Sequence, residues 1–285
     1  MLPVKTLDEK IDTLTREGLK TQQANCPVTH HFYPGMYIRE MFAPAGTLLI
    51  GHMHTTRHAN RMVTGKAMFL TKSGAVVEKT APWSFVSDPG RKVAYVLEDM
   101  VFQNIYMTDE TDVEKLEAEL LEFCPIWIDH NEKQQLYLTY DNADDVTDFR
   151  LAMEEHGFDL GWVRTVSEYE GDQIPFPCGS YKAVVSNSKI EGKGLFASGN
   201  IEAGEVIAPA RLGDKRTPAG RYTNHAKNPN AYFVLLPNND LNLVALRPIR
   251  GTVGGNIGEE ITIDYRQALS LYKEKLICPH QLSHQ

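Results

Sequence analysis

The chain has 285 residues, of which 42% are hydrophobic and 23% charged, and a net charge of −8. That is the make-up of a globular protein with room for two cored domains. No apolar run approaches the ~20 residues that cross a bilayer, and Met1–Lys5 has no signal-peptide core, so a cytoplasmic location without membrane contact is expected.

Charge divides the chain unevenly. Residues 108–178 hold 4 Lys and Arg against 19 Asp and Glu, whereas both flanks are mildly basic. Three segments are therefore predicted: 1–107, 108–178 and 179–285. The acidic middle repels phosphates, which argues against nucleic-acid binding there. Cys26, Cys124, Cys178 and Cys278 form no C-x-x-C pair, so neither a zinc site nor a disulfide framework is indicated.

In the first segment, Leu7, Ile11 and Leu14 share one helical face over residues 6–23, with Gly18 weakening the second half. From Phe32 to Tyr106 short β-rich runs follow: Tyr37–Phe42, Thr47–Ile50, Ala67–Thr71, Ala75–Lys79, Ser84–Ser87, Val93–Leu97 and Val101–Met107. Gly or Pro separates most of them, which suggests a sandwich or small barrel. His52 and His54, two apart on a strand, would face one side, and His58 could join them from the strand end. Imidazoles gathered this way suit a transition metal. They equally suit hydrogen bonding among strands.

The middle segment predicts helices over about 110–122, from a Thr111-x-x-Glu114 capping box, and over Asp144–His156, stopped by Gly157. A shorter one is expected within Asp159–Glu170. Paired carboxylates such as Asp144-Asp145 and Glu154-Glu155 read as solvated faces. The last segment is again β-rich. It carries Gly192-Lys193-Gly194-Leu195-Phe196-Ala197, then Ile201-x-x-Gly204-Glu205-Val206-Ile207. Arg221-Tyr222-Thr223-Asn224-His225 follows, running to Pro229-Asn230, and last comes Gly258-Glu259-Glu260-Ile261-Thr262-Ile263-Asp264-Tyr265.

Two resemblances follow. The spacing Gly46, His52, His54, His58, Gly65 resembles the first cupin motif, with His58 where a glutamate is usual. Phe85–Gly90 has the shape of the second, but Val93 stands where its histidine is expected. This implies a cupin-like β-barrel (jelly roll) over residues 1–107, and a divalent transition metal on His52, His54 and His58. The stretch is also similar to small cupin-like proteins encoded by bacteriophages, which would place the protein in a host cytoplasm.

The four motifs of residues 181–265 resemble, in order, those of SET-domain methyltransferases. The fold implied for the whole chain is mainly β with α: the cupin-like barrel, a helical connector, and a minimal SET-domain β fold with its pseudo-knot. The resemblance implies S-adenosylmethionine as cofactor, bound by Gly192, Lys193, Gly194, Arg221, Tyr222, Asn224 and His225. It implies Tyr265 as catalytic residue and a protein lysine as substrate. Only 29 residues separate Gly194 from Asn224, so the usual substrate-holding insert is short. Cys278 stands alone where the family has a cysteine cluster. Ala226 and Asn228 replace its usual Ser and Cys, and Ile263 holds the position that tunes methyl number. These departures leave a second expectation open. It is a non-catalytic binding or assembly protein, such as a phage component, forming a homodimer through the cupin-like part. A metal-dependent enzyme in the first segment is a third.

Overall fold

Thr6 caps the first helix, α1 (Leu7–Gly18), with its side chain on the Glu9 amide while Glu9 reaches back to the Thr6 amide. The helix stops at Gly18, earlier than its periodicity alone predicts, and buries Ile11 and Thr15. The computed structural model describes residues 6–129, 143–252 and 257–276. Met1–Lys5 and Cys278 lie outside them. The chain forms two compact units, one from Met1–Thr139, Pro177–Lys182 and Gly251–Gly258, the other from Tyr140–Phe176, Ala183–Arg250 and Glu259–Gln285. Among the described residues no helix is long and apolar enough to cross a membrane.

The first unit is a branched antiparallel sheet. Its strands are β1 (Val28–Tyr33), β2 (Met36–Ala43), β3 (Leu48–His54), β4 (His58–Leu70), β5 (Val76–Thr80), β6 (Trp83–Ser87), β7 (Gly90–Tyr106), β8 (Leu121–Glu122) and β9 (Gly179–Tyr181). The path runs β5-β4-β7-β2-β1-β9, with β3 joined to β7 and β8, and β6 to β4. The expected closed barrel is corrected: among the described residues the ladder ends at β5, β9, β6 and β8 and does not close. The cause lies in β7. It pairs with β3, β4 and β2 along successive stretches, so the predicted runs Val93–Leu97 and Val101–Met107 are one strand that bends through bulges opposite Thr64 and Lys66.

Register sorts the inner face into rows. Val28, Met41, Phe102 and Met62 lie across one another, and so do His30, Arg39, Asn104 and Asn60. The apolar row leads into a core of Ala43, Met62, Ala67, Val96, Met100 and Phe102. The polar row lies two residues along each strand, on the same face. Helix α2 (Val113–Leu120) precedes β8. Its cap is Asp112, accepting from the Glu114 and Lys115 amides, rather than the predicted Thr111. The Glu110 carboxylate holds the Thr111 and Asp112 amides in its place.

The second unit starts with helices α3 (Ala143–His156) and α4 (Leu160–Glu168). Gly157, at φ +72, ends α3 in the left-handed conformation that a helix stop needs. The remaining elements are β10 (Ala183–Asn187), β11 (Lys193–Ala197), β12 (Val206–Leu212), β13 (Lys215–Arg216), α5 (Pro218–Arg221), β14 (Asn224–His225), β15 (Ala231–Leu235), β16 (Leu241–Ala245), β17 (Glu260–Ile263) and α6 (Tyr265–Leu276). They make two four-stranded sheets, β10-β11-β17-β14 and β13-β12-β16-β15. Leu195, Leu243, Ile261 and Ile263 are fully buried in this unit.

Candidate functional site

The motif segments of the second unit meet at β17. Strand β14 pairs with it in parallel, Asn224 opposite Thr262 and His225 opposite Ile263. Asn230 binds the same strand through its side chain, donating to the Glu260 carbonyl at 2.7 Å and accepting from the Thr262 amide at 2.8 Å. A segment rich in Asn and Pro would otherwise bury unpaired backbone groups. Here its amide side chain satisfies those of β17.

Asn224 donates to Glu260 Oε1 at 2.8 Å, and to the Lys193 and Glu191 carbonyls at 3.2 and 3.3 Å. Ser188 donates to both oxygens of the same carboxylate. Burial pushes the Glu260 carboxyl up, and the Asn224 and Ser188 hydrogen bonds oppose that. Gly194 is required by this arrangement, since a Cβ there would collide with the Glu260 side chain and meet Ser188 Cβ at 3.0 Å. Gly192 has φ +50, which also favours glycine.

His225 is 3% exposed. Its Nδ1 accepts from the Tyr265 amide at 3.1 Å, so its proton lies on Nε2, which donates to Asp148 Oδ2 at 3.1 Å. Arg266 grips Asp148 with both terminal nitrogens, at 2.8 and 3.1 Å, and Glu155 with Nε at 2.6 Å. These bonds, Arg266's foremost and His225's next, hold the Asp148 carboxyl below the usual carboxylate range. Glu155, read above as part of a solvated face, is thus half of an ion-pair network. Tyr265 donates from its hydroxyl to the Thr223 carbonyl at 3.1 Å. Burial pushes its phenol up to about 12, so it is neutral at physiological pH. Phe149 stands edge-on to the Tyr265 ring at 5.7 Å. Arg221 lies over the Tyr222 ring at 5.0 Å, and its buried Nε has no hydrogen-bond partner.

Asp148→Asn is expected to lower stability at neutral pH by about 1 kcal/mol, as a charged bond in a partly exposed network becomes neutral. A depressed carboxyl stabilises above its unfolded pKa, and that contribution is lost as pH falls through its folded value. The gap between wild type and variant should therefore close on acidification, as thermal unfolding at stepped pH will record.

Of the three histidines expected to hold a metal, His52 stands apart from the other two. His54 and His58 stack, with centroids 4.4 Å apart. His54 Nδ1 and the Tyr106 hydroxyl share a hydrogen bond of 2.7 Å. His58 donates from Nδ1 to the Thr56 carbonyl, so its Nε2 is an acceptor, and Lys92 Nζ donates to it at 2.7 Å. His52 instead packs edge-on against Phe123 and Trp127, at 4.8 and 5.3 Å. The β3–β7 register shifts between Ile50 and Met53, and this irregularity breaks the alternation that would have put His52 beside His54. Among the described residues no group of three His, Cys, Asp or Glu side chains is placed to hold a metal. Burial lowers the His54 and His52 pKa values, the latter to about 4, and the Lys92 amine to about 7.

Lys92, Arg39 and Asp148 were not singled out from the sequence, and Glu260 stood there only as part of the last motif. Only Arg39 carried a signal: it interrupts the alternation Tyr37, Arg39, Met41 on the buried face of β2.

No family model and no curated protein matches the chain. Solved structures with similar parts include three of low overall likeness. An acetylacetone dioxygenase from Acinetobacter johnsonii is 13% identical, covers 31% of this chain and 63% of its own, and has a TM-score of 0.26. This chain thus spans less than two thirds of that protein. A cupin domain from Bordetella pertussis Tohama I is 16% identical over 31% of this chain and 98% of its own, at 0.26. An RmlC-like cupin protein from Ralstonia eutropha JMP134 is 21% identical over 29% and 56%, at 0.24.

Proposed function

We propose that the second unit is a minimal SET-type methyltransferase acting on a protein lysine, with S-adenosylmethionine as cofactor. The observation that carries this is the meeting of Asn224, His225 and Tyr265 at β17 through one parallel ladder and the His225–Tyr265 hydrogen bond. In this reading the Asn224–Asn230 and Glu260–Tyr265 segments are the two strands of the family's knot-like crossing. The first unit is read as cupin-like, on the Gly46–Gly65 histidine spacing and its antiparallel sheet.

The residues fit the cofactor. Arg221 offers a buried Nε that lacks a partner, suited to a carboxylate. The Glu260 carboxylate suits a cationic sulfonium or ammonium group. Gly192 has open space where a side chain would stand, so its backbone can approach a ligand closely. S-adenosylmethionine, when bound, would supply a methyl group to a neutral amine, with the thioether as leaving group and the amine's proton lost to solvent. Tyr265, neutral and anchored on the Thr223 carbonyl, keeps an oxygen lone pair that can accept an N–H and so orient the attacking amine. Asp148 fixes the His225 tautomer, and His225 in turn fixes the backbone at Tyr265. Fixed groups of this kind act by alignment.

The histidines of the first unit do not fit the metal that the cupin resemblance implies. Lys92 occupies His58 Nε2 and His52 packs on aromatic rings, so no chemistry is assigned to a metal there.

A second reading is non-catalytic docking in an assembly. It is favoured by the Asn224 amide and Tyr265 hydroxyl being satisfied inside the protein, by Glu260 and Thr223. Methyl transfer separates the two. The full chain is incubated with methyl-labelled S-adenosylmethionine and a panel of lysine-bearing proteins, which are then hydrolysed. Label in methyl-lysine supports the proposal. Label on another side chain keeps methyl transfer and removes lysine as its target, and no label favours docking.

A further inference from the structure

Helix α4 (Leu160–Glu168) buries none of its side chains. Phe158, Trp162, Val166 and Tyr169 stand at i, i+4, i+8 and i+11, one apolar stripe along the helix and its flanks. Trp162 is 50% exposed, Val166 42% and Tyr169 62%. The Phe158 and Trp162 rings stack on each other at 5.2 Å. Apolar packing is therefore not what holds this helix; its ends are. Asp159 caps the first turn by accepting from the Trp162 amide. Arg216 closes the last turn. It donates to the Val166 and Tyr169 carbonyls at 3.0 and 3.2 Å, and to both Asp172 oxygens at 2.8 Å. A helix this short is marginal in water unless one face is covered.

Position and charge say what covers the stripe. Arg164, on the same helix, comes within 4.0 Å of Glu191, and the Glu191 carbonyl accepts from the Asn224 amide. The helix thus flanks the Gly192–Gly194 turn. Residues 143–176 hold nine Asp and Glu against two Arg. Some of these acids are engaged within the unit, Asp148 and Glu155 by Arg266 and Asp172 by Arg216. Glu154 and Glu170 are exposed and have no ion pair among the described residues. We propose that the α4 stripe docks the substrate, a basic segment of a lysine-bearing protein that also carries apolar side chains. The stripe takes the apolar side chains, and the acidic surroundings attract the basic ones and repel an acidic partner. The helix stands in for the substrate-holding insert, which is short here, with only 29 residues between Gly194 and Asn224. This inference rests on the methyltransferase reading of the same unit.

The test uses the full chain without cofactor, so that its result does not depend on methyl transfer. Three labelled peptides of equal length are the probes, followed by fluorescence anisotropy: one of Lys and Leu, one with Glu in place of Lys, and one with Ser in place of Leu. Wild type should bind the Lys/Leu peptide saturably and the other two at least about tenfold more weakly, with affinity falling as salt rises. Trp162→Ser combined with Val166→Ser should weaken the Lys/Leu peptide by at least about tenfold, as loss of an aromatic anchor does. Its thermal unfolding should match wild type, because both side chains are exposed. The inference is overturned if the Lys/Leu peptide does not bind, if the Glu peptide binds as well, or if the double variant binds like wild type. It is also overturned if the variant unfolds at a lower temperature, which would place the stripe inside the fold, or if sedimentation shows a wild-type dimer that the variant loses, which would give the stripe to a second copy. Peptide docking without methyl transfer would remove the catalytic reading alone.

Discussion

Gly65→Ala is expected to destabilise the first unit by about 4 kcal/mol, at the upper end of what single substitutions do. Two independent costs combine. Gly65 has φ +91, a conformation that L residues avoid. A Cβ there would also collide with the Asp99 carbonyl and come within 2.7 Å of Met100 Cα, both of them backbone. Gly65 lies in the bulged stretch where β4 meets β7, between the Thr64–Val101 and Lys66–Glu98 pairs. Backbone on both sides cannot move without breaking ladder bonds that position Met100 and Phe102 in the core. Denaturant unfolding should show the midpoint falling sharply. Gly74→Ala, with a similar φ of +82 but open space around it, should lose only the conformational part.

Under the proposed function, Tyr265→Phe is expected to reduce methyl transfer by at least about 10²-fold, as loss of a single positioned hydrogen-bonding group does elsewhere. The hydroxyl is the one atom removed. The ring still packs on Phe149 and His225, and the Tyr265 amide still donates to His225 Nδ1. The buried Thr223 carbonyl loses its donor, at about 1 kcal/mol of stability. Cofactor binding should be nearly unchanged, since Arg221, Asn224 and the Gly192–Gly194 turn are untouched. A variant that loses cofactor binding together with turnover would assign Tyr265 to the cofactor pocket instead of to the amine.

Local signals in the sequence were readable where one element decides its own form. Helix α3 follows its apolar spacing and stops at Gly157, and most strands of the first unit begin or end within a residue or two of their predicted bounds. The meeting of Asn224, His225 and Tyr265 was foreseen only through motif order, because nothing local links residues forty positions apart. Failures came where pairing overrides alternation. His52 is displaced by a register shift invisible in its own strand. Strand β7 runs through Glu98-Asp99, which reads as a break, because it takes different partners on either side. Asp148 and Phe149 looked like parts of an ordinary amphipathic helix. Their contacts with His225 and Tyr265 depend on where α3 packs within its unit.

The most direct measurement of the central claim is calorimetric titration of the full chain with S-adenosylmethionine, alongside Gly194→Val and Arg221→Met. The proposed function predicts saturable one-site binding by the wild type, and loss or strong weakening in both variants. Absence of binding at millimolar ligand, or equal binding by all three proteins, would contradict it.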